Sequence, residues 1–281
     1  MKNIFVIGAG QMGAGIAQVF ASHNFSVKLF DVNEEALKKG IEGIYKRLDR
    51  AVEKERMTKE GAEQAKAHLE TASGMEDAAH CDFAIEAVVE RMDVKEKVFR
   101  QLDDIMPDHA ILATNTSSLP ITDVAAVTNR PSQVIGMHFM NPVPVMKLVE
   151  IIRAIQTSDE TFERVEKLAE QLAKTPVDVS DYPGFVANRV LMPMINEAVF
   201  TIHEGVASKE DVDTVMKLGM NHPMGPLQLA DFIGLDTCLS IMEILYDGFG
   251  DSKYRPCPLL KKYVAAGWLG KKSGRGFYVY E

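Results

Sequence analysis

Apolar and polar positions along the chain fall into two alternating patterns up to about residue 180. Short apolar runs of strand length are each followed by a longer segment in which apolar residues recur at helical spacing. The apolar runs predict strands at residues 2–7, 26–31, 82–88, 110–115, 133–141, 147–152 and 177–181. The helical segments are residues 11–23, 34–56, 58–69, 92–105, 118–127 and 159–174.

This alternation predicts an α/β protein with a doubly wound, mostly parallel sheet. Two stretches depart from a simple repeat. Residues 34–69 predict a hairpin of two helices where one crossover helix would suffice. The consecutive strands around residues 134–151 predict an antiparallel edge, because a short connection cannot join parallel neighbours.

The pattern changes after Tyr182-Pro183-Gly184. Beyond it we predict helices near 187–204, 209–218, 227–247 and 258–266, and one closing strand in GFYVY. Ser208 with Asp211 forms a capping box at the start of the second of these helices. The sequence therefore predicts two domains, 1–183 and 184–281, of which the second is helical. We expect the second domain to pack on the first, on a copy of itself, or on both.

The charge balance limits the classes of partner. The chain has 40 acidic and 31 basic residues, for a formal net charge of −9, and neither predicted domain has an excess of basic residues. This composition does not favour nucleic acid as a partner, and any phosphate site must be built locally from backbone amides or a few cations. No apolar run approaches the roughly 20 residues of a membrane helix, so we expect no membrane partner.

The cysteines point to a reducing compartment. Cys81, Cys238 and Cys257 are scattered and form no C-x-x-C pair, which also excludes a metal site built from cysteines. The start of the chain lacks the apolar core and cleavage site of a signal peptide. We therefore predict a cytoplasmic protein, the alternative being one that reaches another compartment in processed form.

A glycine motif lies between the first predicted strand and helix. Gly8-Ala9-Gly10-Gln11-Met12-Gly13 has the form G-x-G-x-x-G, in the strand–turn–helix context that a dinucleotide-binding loop requires. Such a loop places a pyrophosphate against free N–H groups at the N-terminus of a helix. We assign to the cofactor site Gly8, Gly10, Gln11, Met12 and Gly13.

Asp31 closes the second predicted strand, eighteen residues after Gly13. A carboxylate at this position accepts hydrogen bonds from a ribose 2′-hydroxyl and repels a 2′-phosphate. NAD is therefore the favoured cofactor and NADP the less favoured one. The alternative is an ordinary glycine turn followed by a helix-capping aspartate.

His138 differs from the other histidines because it lies in an apolar strand, near the end that faces the ligand crevice of doubly wound proteins. The turn Asn141-Pro142-Val143-Pro144 reverses the chain, so that Glu150 in the next strand nearly mirrors His138. A carboxylate beside an imidazole makes it a competent base near neutral pH. The alternatives are a structural histidine in the core and a solvated carboxylate on an edge strand.

Six segments together resemble the L-3-hydroxyacyl-CoA dehydrogenases. They are GAGQMGAGIA, IEAVVERMDVK, NTSSLPIT, GMHFMNPVPVMKLVEII, YPGFVANRVL and HPMGPLQLADFIGLD. The resemblance covers essentially the whole chain. It implies a Rossmann-type doubly wound sheet followed by a helical C-terminal domain that closes the substrate cleft and forms a homodimer or larger homo-oligomer.

The resemblance also implies catalytic roles. His138 matches the histidine that removes the 3-hydroxyl proton, and Glu150 matches its partner carboxylate. Ser117 matches a serine that hydrogen-bonds the reacting oxygen. Asn188 matches an asparagine that polarises the same oxygen, so both residues also count as substrate-binding.

Four more positions match the family's cofactor contacts: Glu90, Lys95, Asn115 and Asn141. Without the resemblance, Glu90 and Lys95 would be a helix-start acid and an exposed lysine, and Asn141 would belong to a plain Asn-Pro turn.

A coenzyme A thioester carries several phosphate charges and needs a local group of cations. Lys46, Arg50 and Lys54 are spaced at i, i+4 and i+8 and share one face of a predicted helix. Of these we assign Arg50 and Lys54 to the substrate. The alternative is a solvated helix face with ion pairs.

The resemblance thus implies an NAD(H)-dependent oxidoreductase that interconverts a short-chain L-3-hydroxyacyl-CoA and its 3-ketoacyl-CoA, with acetoacetyl-CoA as the expected ketone. Two other hypotheses remain at this point. One is a dehydrogenase of the same fold that acts on a free hydroxy acid or sugar acid. The other is a protein that senses NAD(H) without turnover.

Overall fold

The computed structural model describes residues 1–280, and it divides the chain into two compact units, the first ending at Tyr182 and the second beginning at Pro183. The first unit contains one eight-stranded sheet in the order β3-β2-β1-β4-β5-β6-β7-β8. Its strands are β1 (Asn3–Ile7), β2 (Ser26–Phe30), β3 (Leu69–Thr71), β4 (Phe83–Glu86), β5 (Ile111–Thr114), β6 (Val134–Phe139), β7 (Leu148–Arg153) and β8 (Thr175–Ser180). The predicted doubly wound fold is confirmed.

Helices connect the strands of this unit. They are α1 (Gln11–Ser22), α2 (Glu34–Glu53), α3 (Lys59–Ala67), α4 (Met92–Ile105), α5 (Ile121–Ala126) and α6 (Asp159–Gln171). α2 and α3 form the predicted helical hairpin, and the Thr58 hydroxyl accepts the Gly61 N–H at 3.1 Å to cap α3. The sequence pattern missed β3, because three residues are too few to show an alternation.

The β6–β7 pair is antiparallel, as predicted, but it does not form the edge of the sheet. β8 pairs in parallel with β7 and forms the edge instead. β8 covers Glu150, whose side chain is buried. The alternative of a solvated edge carboxylate is therefore wrong.

The core of the first unit lies between the sheet and its helices, with fully buried aromatic rings such as Phe20 and Phe83. All four residues of β4 and of β5 and all six of β6 are buried. Strands covered on both faces end in a crevice at their carboxyl ends, and this is where ligands of doubly wound sheets bind.

The second unit is helical, with α7 (Ala187–His203), α8 (Lys209–Gly219), α9 (Pro226–Ile233), α10 (Leu235–Phe249) and α11 (Pro258–Ala265). The single helix predicted over 227–247 is two helices, because Gly234 adopts a φ of +107° that no helix accommodates. The predicted closing strand is also wrong: Arg275 makes isolated bridges to Gly270 and Val279. Within residues 1–280, every helix is too short or too polar to cross a lipid bilayer.

Candidate active site

The glycine loop, residues 8–13, joins β1 to α1 through closely packed backbone. Gly8 has a φ of +101°, and a Cβ added there would lie 2.5 Å from the Ala87 carbonyl oxygen. A Cβ on Gly13 would lie 1.8 Å from the Gly8 oxygen. Gly10 is different, because a Cβ there would meet nothing within 4 Å. Two glycines are therefore required by packing within the protein, whereas Gly10 faces open space.

Asp31 follows β2 directly and is tied to the glycine loop. Its Oδ2 accepts the Ala9 N–H at 2.8 Å, and its Oδ1 accepts the Asn33 N–H at 2.9 Å. These bonds hold the carboxylate beside the loop. Asn33, and not Asp31, caps the next helix, since its side chain accepts the Ala36 N–H. The alternative in which Asp31 is merely a helix cap is therefore wrong.

The fit of these residues to a dinucleotide can be tested on the loop itself. Gly10 is the N-cap of α1 and makes no side-chain hydrogen bond to the first turn of that helix. The first N–H groups of this exposed helix end therefore have no side-chain cap, and a helix N-terminus of this kind can bind an anion. The open face at Gly10 and the fixed carboxylate of Asp31 therefore fit a pyrophosphate and a ribose diol.

Two asparagines link the glycine loop and the sheet to the turn after β6. The Gln11 side-chain amide donates to Asn141 Oδ1 at 3.1 Å, which connects the loop to this turn. Asn115 follows β5, and its Oδ1 accepts the Phe139 N–H at 2.9 Å. The predicted cofactor residues Gln11, Asn115 and Asn141 are thus brought to one region, at the carboxyl ends of β1, β5 and β6.

His138 and Glu150 form a buried pair. They are direct partners in the antiparallel register of β6 and β7, so their side chains project on the same side of the sheet. His138 Nδ1 lies 2.8 Å from Glu150 Oε2, and the two residues are 8% and 2% exposed. A carboxylate at Nδ1 favours the tautomer with its proton on Nδ1, which leaves Nε2 as the basic nitrogen.

Ser117 lies in the serine loop, residues 115–118, which is held by Glu90. One Glu90 oxygen, Oε1, accepts the backbone N–H groups of Ser117 and Ser118 at 3.0 and 3.1 Å and the Ser118 hydroxyl at 2.9 Å. It also accepts the hydroxyl of Thr116. The other oxygen lies 3.2 Å from the Lys95 ammonium. Glu90 therefore joins the serine loop to a cation on α4.

Burial alone would raise the pKa of Glu90, but the Lys95 ammonium and the Thr116 hydroxyl outweigh it and lower that pKa below its ordinary value. Lys95 itself is buried, so the expectation of an exposed lysine is wrong. Its nearest partner is Glu86, at 2.7 Å.

A basic cavity of about 730 Å³ lies in the same unit, between the end of α1, the α2–α3 hairpin and the β6–β7 turn. Six basic side chains line it: Arg47, Arg50, Lys54, Arg56, Lys147 and Lys174. None of its lining residues, all within the described chain, is acidic. The predicted pair Arg50 and Lys54 is brought together here.

Lys46 does not line this cavity, and Arg47 takes its place. The basic residues of α2 that line the cavity are Arg47, Arg50 and Lys54, which are spaced at i, i+3 and i+7. The predicted spacing of i, i+4 and i+8 is therefore wrong. Arg47 is fixed by a hydrogen bond from its Nε to Gln18 Oε1 at 2.6 Å. The packing of α2 on α1 decides which face turns inward, and the charge pattern alone did not reveal it.

Asn188 lies in the other unit, in the first turn of α7, where its backbone N–H donates to the Gly184 oxygen at 3.1 Å. Gly184 has a φ of +74°, and a Cβ there would lie 2.6 Å from Leu245. A glycine is therefore required where the chain enters α7, and this turn fixes the position of Asn188 at the start of the helix.

Three residues of this region were missed from the sequence: Glu86, Arg47 and Lys174. Lys174 Nζ donates to the carbonyl oxygens of Val143 and Met146, each at 2.7 Å, and so braces the β6–β7 turn. Burial lowers the pKa of Lys174. In the sequence, each of these three residues is only a charged residue inside or beside an apolar run. That pattern does not identify the group with which the charge pairs.

Comparison with known proteins gives the same family for both units. Residues 3–182 match the family profile described as 3-hydroxyacyl-CoA dehydrogenase, NAD binding domain. Residues 184–280 match the profile described as 3-hydroxyacyl-CoA dehydrogenase, C-terminal domain.

Individual relatives match over the full length. A probable 3-hydroxybutyryl-CoA dehydrogenase of Bacillus subtilis is 62% identical, covering 100% of this chain and 98% of the relative. The 3-hydroxybutyryl-CoA dehydrogenase of Bradyrhizobium diazoefficiens is 53% identical over 100% of this chain and 96% of its own. The crystal structure of (S)-3-hydroxybutyryl-CoA dehydrogenase from Ralstonia eutropha superposes with a TM-score of 0.98 at 49% identity, covering 100% and 99% of the two chains. The chain, with its NAD-binding first unit and helical second unit, belongs to the 3-hydroxyacyl-CoA dehydrogenase family.

Proposed function

We propose that this enzyme interconverts (S)-3-hydroxybutyryl-CoA and acetoacetyl-CoA with NAD(H). The observation that carries the proposal is the buried His138–Glu150 pair. His138 lies near the carboxyl end of β6, on the same side of the sheet as the glycine loop that follows β1. The named relatives that match over the whole chain support the choice of substrate.

When bound, NAD would supply the hydride acceptor for C3 of the alcohol, and NADH would supply the hydride in the opposite direction. The protein must then manage one proton. His138 Nε2 takes the proton of the 3-hydroxyl as the C3–H electron pair leaves and the C=O bond forms. Glu150, at 2.8 Å from Nδ1, stabilises the resulting imidazolium. In the reductive direction His138 returns the same proton to the oxygen.

Ser117 and Asn188 are proposed to bind the reacting oxygen. A hydroxyl and an amide N–H are the donors that stabilise developing charge on such an oxygen. Glu90, by accepting two N–H groups of the serine loop, fixes the backbone on which Ser117 sits. We propose ten residues as cofactor contacts, as the resemblance implies: Gly8, Gly10, Gln11, Met12, Gly13, Asp31, Glu90, Lys95, Asn115 and Asn141.

The basic cavity is proposed to receive the phosphate groups of coenzyme A. Six cations without a carboxylate among the lining residues form a local anion site in a chain whose net charge is −9. A free hydroxy acid carries no group that would need such a cavity. Arg47 therefore joins Arg50 and Lys54 in the proposed substrate site.

The first experiment measures NADH absorbance after addition of acetoacetyl-CoA. We expect a steady fall for the wild type, and a decrease in kcat of about 10²–10⁴-fold in His138→Gln with a smaller change in KM. His109→Gln, an exposed histidine of the same unit, serves as the matched control. A wild type that binds NADH without oxidising it would identify a sensor, and full turnover in His138→Gln would remove His138 from the mechanism.

The second experiment tests the substrate class. The double variant Arg50→Ala/Lys54→Ala should raise KM for acetoacetyl-CoA about tenfold or more, because two charge-assisted contacts are lost. KM for acetoacetyl-N-acetylcysteamine, a thioester without phosphates, should not change. Lys38→Ala/Lys39→Ala removes the same charge from α2 outside the cavity and is the control. An unchanged KM for acetoacetyl-CoA would contradict the assignment of the cavity.

We further propose that the second unit mediates a homodimer or larger homo-oligomer. Its exposed apolar side chains include Val215 and Leu218 of α8 and Met220 just after it. Contiguous exposed apolar residues favour contact with another chain. We also propose a cytoplasmic location, because all three cysteines are buried free thiols.

A further inference from the structure

A fully buried ion pair lies beneath the serine loop. Glu86, the last residue of β4, is 0% exposed, and Lys95 of α4 is 1% exposed. Lys95 Nζ lies 2.7 and 3.0 Å from the two oxygens of Glu86. Burying two charges is costly, and removing one partner of such a pair leaves an uncompensated buried charge.

Glu86 is held from several directions. Its oxygens also accept the Val88 N–H at 2.6 Å and the Thr114 hydroxyl at 2.8 Å. Thr114 is the last residue of β5 and is itself fully buried. The Glu86 carboxylate therefore has four short contacts to the protein, and its position is fixed by the ends of two strands.

Lys95 connects Glu86 to Glu90. An ammonium group has three N–H donors, and three carboxylate oxygens lie around this one, two from Glu86 and one from Glu90. Lys95 is buried and its ammonium lies between the two carboxylates, so it restrains the position of Glu90.

Glu90 carries the connection to the site. One of its oxygens faces Lys95. The other accepts hydrogen bonds from the serine loop, including one from the Ser117 N–H at 3.0 Å. If Lys95 lost Glu86, it would be drawn into a closer pair with Glu90 and would pull that carboxylate away from the loop.

We propose that Glu86 is a positioning residue: it restrains Lys95, which restrains Glu90, which holds the serine loop so that Ser117 can bind the reacting oxygen. The inference rests on the proposed function. It assigns to Glu86, which is 0% exposed, a role in the reaction that is exerted through Lys95 and Glu90.

A double-mutant cycle tests this chain of contacts. Glu86→Gln keeps the shape of the side chain and removes its charge. In the wild-type background it should lower kcat for acetoacetyl-CoA about 10–100-fold, since a small misplacement of a catalytic group costs this much. KM should change less than about threefold, because Glu86 lies outside the basic cavity. In the Ser117→Ala background the same change should cost less than about twofold.

General damage to the fold would instead lower kcat by the same factor in both backgrounds, and that result overturns the proposal. Glu96→Gln, the same change at a neighbouring residue of α4 that pairs with Arg100 at the surface, is the control and should leave kcat unchanged. If Glu86→Gln does not fold, the cycle of Glu90→Gln with Ser117→Ala decides, with additive losses again overturning it. A wild type without activity overturns the proposed function and this inference together, whereas an active wild type with additive losses overturns only the inference.

Discussion

The Asp31 carboxylate has one observed role and one proposed role. It holds the glycine loop through the Ala9 N–H, and it closes β2 where a ribose diol would lie. The next residue, Val32, is 90% exposed and is therefore a position where a cation can be added without disturbing the core. The cofactor preference of the enzyme can be tested at these two residues.

We expect Asp31→Ser/Val32→Arg to shift the ratio of kcat/KM for NADH over NADPH by about 100-fold toward NADPH. The carboxylate contributes about 1.5–3 kcal/mol in a charged hydrogen bond, and the new guanidinium can pair with a 2′-phosphate. Steady-state kinetics with both cofactors measure the ratio. Val32→Arg alone retains the carboxylate and should still prefer NADH. A wild type that prefers NADPH would contradict the role given to Asp31.

The pairing of site residues could be predicted where the residues lie close together in the sequence. His138 and Glu150 follow from two apolar strands joined by a proline turn, which fixes their register. The pairing of Glu86 with Lys95 could not be predicted from the sequence, because it depends on how α4 packs on the end of β4. Neither residue type nor spacing encodes that packing.

At the scale of elements, two buried aspartates of the second unit organise its C-terminal segment. Asp231 of α9 accepts the backbone N–H groups of Phe277 and Tyr278 at 2.9 and 2.8 Å. Gly276 passes so close that a Cβ would lie 2.0 Å from Asp231 Oδ1. Asp213 of α8 accepts the Leu227 N–H at 2.8 Å and so caps α9. These carboxylates replace the strand pairing that the sequence pattern had suggested for GFYVY.

Asp231→Asn should therefore destabilise the second unit. The amide NH₂ would face one of the N–H donors, and a buried unsatisfied group costs about 1–3 kcal/mol. Urea unfolding followed by fluorescence measures this change, because Trp268, the single tryptophan of the chain, lies in this unit. Asp236→Asn breaks a half-exposed pair with Lys272 and should cost less than about 1 kcal/mol. Equal effects of the two variants would show that the buried carboxylate is not needed.

Element boundaries were predicted well where a cap or a strong period marks them. α4 spans Met92–Ile105, as its apolar spacing indicates, and Ser208 caps α8 through the Asp211 N–H. The break at Gly234 was missed, because one glycine within a helical pattern does not reveal its φ. The face of α2 that lines the basic cavity was missed for the reason already given for Arg47.

At the scale of the molecule, the two units can be predicted from the sequence. The first unit shows alternating strand and helix patterns, and the second unit shows helix patterns alone. The number of chains in the assembly cannot be predicted in this way. Apolar residues of a helix give the same sequence pattern whether they pack on their own chain or on another. For α8 the structure shows which apolar side chains are covered by their own chain. Val212 is buried, whereas Val215 and Leu218, three residues apart on one face, are 58% and 82% exposed.

Leu218→Glu should therefore change the assembly without changing the fold of the single chain. A carboxylate in the centre of an apolar contact must be desolvated, which is costly enough to separate the chains at micromolar concentration. Light scattering on a sizing column should give the mass of two chains for the wild type and of one for the variant. Lys217→Glu places the same group on a different face of α8 and should keep the wild-type mass. Unfolding in urea should be similar for all three proteins, since the Leu218 side chain is mostly exposed within its own chain. If Leu218→Glu retains the wild-type mass, α8 is not the contact between copies.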